Sequence, residues 1–174
     1  RGVRGGCAGL GEEVAEALLF LGAAHHLGGA FLGAALPLGA AFGYVDACRI
    51  GCDVDLDYGG VYYNKLHVNN EIPSAQNSIN NAVFRRHLNG RAFCNDPDVF
   101  FLRYSNLKFN TEQKLLLGGI NHLFGDVLFV SDNAEEYHHD DIIAVKKFFS
   151  KSDAKILSAE YLIPGVLAIE LEKG

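Results

Sequence analysis

The sequence predicts an α/β fold: a parallel sheet covered by helices, amounting to half of an eight-stranded barrel, followed by the start of an antiparallel β module. Three observations carry this. Strand-like and helix-like runs alternate through most of the chain, an order that builds parallel strands under helices. The alternation yields four strands, which cannot close a barrel but supply half of one. The last two strand-like runs have no helix between them and flank Pro164-Gly165, the mark of an antiparallel pair. The expected division is 1–152 for the half-barrel and 153–174 for the first strands of a β domain.

Taken in order, residues 1–11 are glycine-rich and irregular. Glu12 to Leu27 reads as a helix, with Val14, Ala17, Leu18, Leu21 and Ala24 at helical spacing and Gly28-Gly29 as the stop. Ala30 to Leu38 is the first strand, closed by Pro37. Tyr44 to Ile50 is the second, apolar and β-branched between Gly43 and Gly51. A polar loop of about twenty residues, Asp53 to Pro73, hangs from its end, and loops of that length are usually functional. Ser74 to Asn89 is a helix stopped by Gly90. Arg91 to Cys94 is a short strand, carried on after Asn95-Asp96-Pro97-Asp98 by the apolar run Val99 to Arg103. Asn110 and Gln113 form a capping box for a helix ending near His122. Asp126 to Val130 is a strand and about 138–150 a helix. Ala154 to Tyr161 and Gly165 to Leu171 are the closing strands.

Composition bounds the function. The 174 residues are 49% hydrophobic and 21% charged, which fits a soluble globular protein with one ordinary core. A net charge of −6 argues against a nucleic-acid partner, which needs a basic face. No Asp, Glu, Lys or Arg occurs from Ala17 to Val45. A membrane span is the alternative reading of that stretch, but Pro37 and its glycines break it, so a buried helix and strand are expected. The cysteines, Cys7, Cys48, Cys52 and Cys94, include no Cys-x-x-Cys pair, so free thiols in a reducing, cytoplasmic setting are expected. The chain starts at Arg1 and holds no Met or Trp, the look of a piece of a larger protein.

The chemistry concentrates at the second strand. Tyr44 to Asp53 carries Asp46, Arg49 and Asp53, and charges in a buried strand need a partner or a task. Asp53, just past the strand, falls at the carboxyl end of a parallel sheet, where such folds keep their sites. The bland readings are a solvated turn for Asp53 and an Arg49–Asp46 ion pair. Asn95-Asp96-Pro97-Asp98 reads equally as a turn braced by its own side chains or as a sugar contact. His138-His139-Asp140-Asp141 has the composition of a metal cluster but sits where a helix starts, which acidic residues favour. His25-His26 read as helix-end residues. Tyr62-Tyr63 read as packing on the scaffold rather than stacking on a sugar.

Four motifs in order resemble the family-36 glycoside hydrolases, the α-galactosidases. They are Phe31-Leu32-Gly33-Ala34-Ala35-Leu36-Pro37-Leu38; Gly43 to Asp53; Gly90-Arg91-Ala92-Phe93-Cys94-Asn95-Asp96-Pro97-Asp98; and Val127-Leu128-Phe129-Val130-Ser131-Asp132. The resemblance implies a TIM (β/α)8 catalytic barrel, of which this chain supplies strands five to eight, and then a β-rich domain. It places the family's Arg-x-x-x-Asp element on Arg49 and Asp53, with Asp53 as general acid/base and Arg49 in substrate binding. A retaining glycosidase needs one carboxyl group to protonate the leaving oxygen and a second to attack the anomeric carbon.

The resemblance also implies an α-linked galactoside as substrate, no cofactor or metal, and a missing N-terminal half of the barrel as partner; a homo-oligomer is left open. Two departures stand out. The nucleophile's Lys-x-Asp element has no counterpart upstream, and Lys151-Ser152-Asp153 fits the spacing but follows the last barrel helix. The sugar-contacting Gly-Cys-Gly-x-Pro reads Gly33-Ala34-Ala35-Leu36-Pro37 here, so Ala34 stands where the family has cysteine. A degraded, non-catalytic barrel piece is the competing reading.

Overall fold

The computed structural model describes residues 41–59, 73–150, 152–163 and 166–172. The expected helix over 12–27, the strand over 30–38, and Cys7, His25, His26, Ala34 and Tyr62-Tyr63 lie outside the described residues. Within them helices and strands alternate as expected. Strand β1 (Ala47–Arg49) is followed by helix α1 (Ala75–Phe84), strands β2 (Cys94–Asp96) and β3 (Val99–Phe100), helix α2 (Thr111–Phe124), strand β4 (Phe129–Val130) and helix α3 (His139–Phe148). Strands β5 (Lys155–Ile163) and β6 (Val166–Glu172) close the order.

The strands form three two-stranded sheets, β1 with β2 and β3 with β4 in parallel and β5 with β6 antiparallel. The strands are shorter than the apolar runs suggested, and no closed barrel is present among the described residues. Tyr44, expected at the start of a strand, is exposed ahead of β1. The physical reason for the short ladders is a kink. Pro97 has no N–H to donate, and Asp98 adopts φ 77°, so the chain breaks there: the short strand expected at Arg91–Cys94 forms at Cys94–Asp96, and the apolar run 99–103 contributes only Val99–Phe100. The piece before the break, β2, pairs with β1, and the piece after it, β3, pairs with β4.

Local chemistry sets the helices. Ser74 caps α1 by accepting from the Asn77 N–H at 3.2 Å. Ile79, Ala82 and Val83 turn inward, and the helix tightens into a 3₁₀ turn at Arg86–Leu88 before Gly90, at φ 68°. The Asn110–Gln113 capping box forms with bonds of 2.9 and 2.8 Å. From it α2 runs two residues past the expected end, because Phe124 is buried in the core beside Leu117 and Ile120. Asp141 accepts from the His138 N–H at 2.9 Å to start α3.

Helices α2 and α3 approach closely at Gly118. A Cβ there would run into the Phe148 ring, whereas one on neighbouring Gly119 meets nothing within 4 Å. Gly118→Val is therefore expected to cost about 2 kcal/mol or more by overpacking. Gly119→Ala should be neutral or stabilising by up to about 1 kcal/mol through helix propensity. Urea unfolding midpoints of the two variants check this; equal midpoints would refute the close approach.

The hairpin β5–β6 lies against α1. Tyr161 stacks on Phe84 with centroids 5.8 Å apart, and its hydroxyl meets Asn80 Oδ1 at 2.5 Å. At the other side, Phe129 and Val130 of β4 are both exposed. Among the described residues no strand pairs with β4 except β3.

Candidate active site

Strand register builds the site. In the parallel β1–β2 pair, Arg49 lies opposite Asp96, each the last residue of its strand. Ile50 N–H donates to the Asp96 carbonyl at 3.0 Å and locks the two carboxyl ends together. The Arg49 guanidinium then meets three carboxylates with three different nitrogens. Nε binds Asp96 Oδ2 at 3.2 Å, Nη1 binds Asp53 Oδ1 at 3.0 Å, and Nη2 lies 2.9 Å from Asp98 Oδ1. The planar fork is what allows three partners at fixed directions, and charge strengthens each bond.

The three carboxylates differ in setting. Asp98 has 7% of its side chain exposed and Asp96 16%, while Asp53 has 73%. Asp53 thus stands at the carboxyl end of a parallel strand with its carboxylate open to solvent, held by Arg49 four residues back. Asp98 is its opposite. Its Oδ2 accepts from the Val54 N–H at 2.7 Å, its own N–H donates to Asp96 Oδ1 at 2.8 Å, and its carbonyl accepts from Asn121 Nδ2 at 2.9 Å. The adjoining Pro97 carbonyl accepts from the Ser78 hydroxyl at 2.9 Å. Helices α1 and α2 therefore hold the kink from two sides, which sustains a left-handed Asp that would otherwise cost about 1 kcal/mol or more. Gly125 is part of this fit, since a Cβ there would lie 2.7 Å from Pro97 Cδ.

Electrostatics follow from the crowding. Burial opposes the Arg49 charge, but Asp96, Asp98 and Asp53 outweigh it, and the guanidinium pKa is raised. Burial pushes the Asp98 carboxyl up. The N–H groups of Val54 and Val99 and the Arg49 charge pull it down, Asp53 pushes it up again, and the net direction is up. One cation against three carboxylates leaves the group with two more negative than positive charges.

A second polar group closes the carboxyl ends of β3 and β4. Asp132 Oδ2 accepts from the Leu102 N–H at 2.6 Å and from the Tyr137 hydroxyl at 2.7 Å. Buried Lys114 donates to the Leu102 carbonyl at 3.2 Å, and its ammonium sits 3.8 Å from the Tyr104 ring centroid. Burial lowers the Lys114 pKa against the pull of Asp141, Asp132 and Glu136. Burial, then the bond to Asp132, pushes the Tyr137 phenol well above the ordinary tyrosine range.

A folded-state pKa raised in this way gives stability that is complete below the unfolded pKa and lost as pH rises above about 10. Stability should therefore fall above that pH, and Tyr137→Phe should flatten the fall. Tyr58, Tyr104, Cys48 and Cys52 are raised and act in the same direction, while Lys114 acts against them. Comparing urea midpoints of wild type and variant on both sides of pH 10 isolates Tyr137; identical slopes would refute it.

Arg49 and Asp53 come together. Arg49 binds Asp53, Asp96 and Asp98 rather than Asp46. The Asn95–Asp98 turn is braced by its own side chains, as the Asp96–Asp98 bond shows, but it also delivers two of the three carboxylates. That second role was missed; the signal was two aspartates flanking a proline at a strand end. Asp141 is committed to His138 N–H and to the Tyr104 hydroxyl, and no metal-binding cluster occurs among the described residues. Asp153 precedes the antiparallel hairpin and lies on no parallel strand. Cys48 and Cys52 are free thiols. Cys94, expected as a thiol, is instead disulfide-bonded.

The fold has solved counterparts. The chain is similar to the α-galactosidase TtGalA from Thermus thermophilus in complex with p-nitrophenyl α-D-galactopyranoside. That match has a TM-score of 0.60 and 19% identity, over 79% of this chain and 28% of the enzyme. The same enzyme in complex with stachyose matches with a TM-score of 0.58 and 19% identity, over 65% of this chain and 24% of the enzyme. The likeness is one of fold, and the chain spans about a quarter of the length of these structures. No family model and no curated protein matches the chain.

Proposed function

We propose that this chain is the second half of the catalytic barrel of a retaining α-galactosidase-like glycoside hydrolase. In this reading Asp53 is the general acid/base and Arg49 its anchor. The observation that carries it is the placement of Asp53. It is an exposed carboxylate at the carboxyl end of a parallel strand, pinned by one arginine whose other nitrogens are tied to Asp96 and Asp98. Such a carboxyl group can protonate a leaving oxygen and then deprotonate water. The net negative charge around Arg49 would favour the positive charge that develops on the sugar in an oxocarbenium-like transition state. Two of the five guanidinium N–H donors are hydrogen-bonded, to Asp96 and Asp53, and Nη2 forms an ion pair with Asp98, so donors remain for a substrate hydroxyl. The substrate would be an α-linked galactoside, and the chemistry calls for neither metal nor cofactor.

The attacking carboxylate and the remaining strands would come from polypeptide beyond these 174 residues. Among the described residues β4 pairs with β3 alone, and its Phe129 and Val130 are exposed, which fits that reading. The competing reading, a non-catalytic scaffold, draws on the fact that all three arms of Arg49 already end on protein carboxylates. Proton NMR of the first sugar released by the full-length protein from p-nitrophenyl α-galactoside decides between them. The α-anomer first supports the proposal; the β-anomer first, or no release, contradicts it. The 174-residue chain alone should release nothing, and turnover by it would overturn the claim that the attacking carboxylate lies elsewhere.

A further inference from the structure

Asp98 is the most constrained side chain of the group, and its bonds close a ring around Asp53. Its Oδ1 faces Arg49 Nη2 at 2.9 Å, and Arg49 Nη1 holds the Asp53 carboxylate at 3.0 Å. Its Oδ2 accepts from the Val54 N–H at 2.7 Å, and that N–H belongs to the peptide bond that Asp53 itself makes with Val54. One buried carboxylate thus grips the exposed one twice, through its guanidinium partner and through its backbone. Resting on the reading of Asp53 as acid/base, we propose that Asp98 is a positioning residue that sets where the Asp53 carboxylate stands relative to the glycosidic oxygen.

The rest of the geometry is what such a role requires. An exposed aspartate on a loop samples several rotamers, and proton transfer demands a heavy-atom approach of about 2.6–3.2 Å. Asp98 cannot itself serve as the donor, because it is buried and both of its oxygens are committed. Its own position is fixed by the left-handed backbone at φ 77°, by Asp96 Oδ1 on its N–H and by Asn121 on its carbonyl. Asp96 is not equivalent. It takes Arg49 Nε but makes no bond to the Asp53–Val54 peptide.

The experiment has two arms. In the 174-residue chain, amide exchange by NMR reads the hold directly. Asp98→Asn places an amide against the Val54 N–H or against Arg49. It should cut Val54 protection by about tenfold or more, the loss of one charge-assisted bond, while Asp96→Asn leaves it in place. In the full-length protein, Asp98→Asn should lower kcat/KM for alkyl galactosides by roughly ten- to hundredfold, as for a displaced catalytic group. For p-nitrophenyl α-galactoside, whose leaving group needs no proton, kcat/KM and the burst rate should fall much less than kcat/KM for alkyl galactosides.

Unchanged Val54 protection overturns the proposal. So does an equal fall in kcat/KM for both substrates, which is the result for a purely structural residue. The companion variant Asp53→Asn separates the two levels. If it leaves both substrates unaffected, the acid/base reading fails and the positioning role fails with it. If it shows the leaving-group dependence and Asp98→Asn does not, only the positioning role fails.

Discussion

Asp53→Asn in the full-length protein is expected to lower turnover of galactosides with poor leaving groups by roughly 10²–10⁴-fold, the usual contribution of a general acid. Retention proceeds in two steps. In the first, an alkoxide cannot depart unprotonated, so an asparagine in place of the acid stops it. A nitrophenolate departs without help, so that step survives. In the second step water must be deprotonated by the same group, so the glycosyl-enzyme accumulates and activated substrates should give a burst followed by slow turnover. Thermal stability should hardly change. Asp53 is 73% exposed, and an exposed ion pair is worth about 0–1 kcal/mol. Stopped-flow release of nitrophenol measures the burst; unchanged rates for both substrate types would remove Asp53 from the mechanism.

Arg49→Ala is expected to have the largest effect on stability, a loss of about 2–4 kcal/mol. Removing one member of a buried ion pair costs about 3–5 kcal/mol because the other charge is left uncompensated. The range is set lower here because Arg49 is 39% exposed and water reaches the site. Asp98, at 7% exposure, bears most of the loss. Arg49→Lys should recover only part of it, since a single ammonium cannot reach three carboxylates along three directions. The pH dependence has a definite sign. Asp98 already has its folded-state pKa raised by burial, with Arg49 pulling against that. Without Arg49 the rise is larger, the folded state binds more protons than the unfolded one, and stability increases as pH falls through the folded-state value. Urea midpoints of Arg49→Ala at falling pH should approach those of wild type; a constant gap would contradict the account.

Much of this fold was legible in the sequence because local signals and burial agree. Ser74, the Asn110–Gln113 box and the apolar spacing of α1 and α2 are read by the same backbone groups in the chain and in the structure. The alternation of strand and helix led to parallel pairing, and Pro164-Gly165 to an antiparallel hairpin. Strand lengths were not legible. Apolar runs such as 99–103 mark burial, and Phe101 and Leu102 are buried without belonging to a ladder. The break at Pro97-Asp98 was visible as composition, but a left-handed aspartate needs Ser78 and Asn121 on two separate helices to hold it, which no local pattern encodes.

The site was half legible for the same reason. The i, i+4 spacing of Arg49 and Asp53 is local and the pair formed. The role of Asp96 and Asp98 depends on register across about fifty residues of intervening chain, and only the paired strands reveal it. Nearby Asp46, also an aspartate and closer in sequence, is passed over because parallel pairing puts the end of β2 beside Arg49.

The most direct test of the central claim is azide rescue of Asp53→Ala in the full-length protein. Azide needs no deprotonation, so it can enter the space vacated by the acid/base and attack the glycosyl-enzyme from the face on which Asp53 stands. The account predicts that azide accelerates release from p-nitrophenyl α-galactoside and that the product is α-galactosyl azide, with configuration retained. A β-galactosyl azide, or no acceleration by azide, would contradict the assignment of Asp53 as the acid/base of a retaining enzyme.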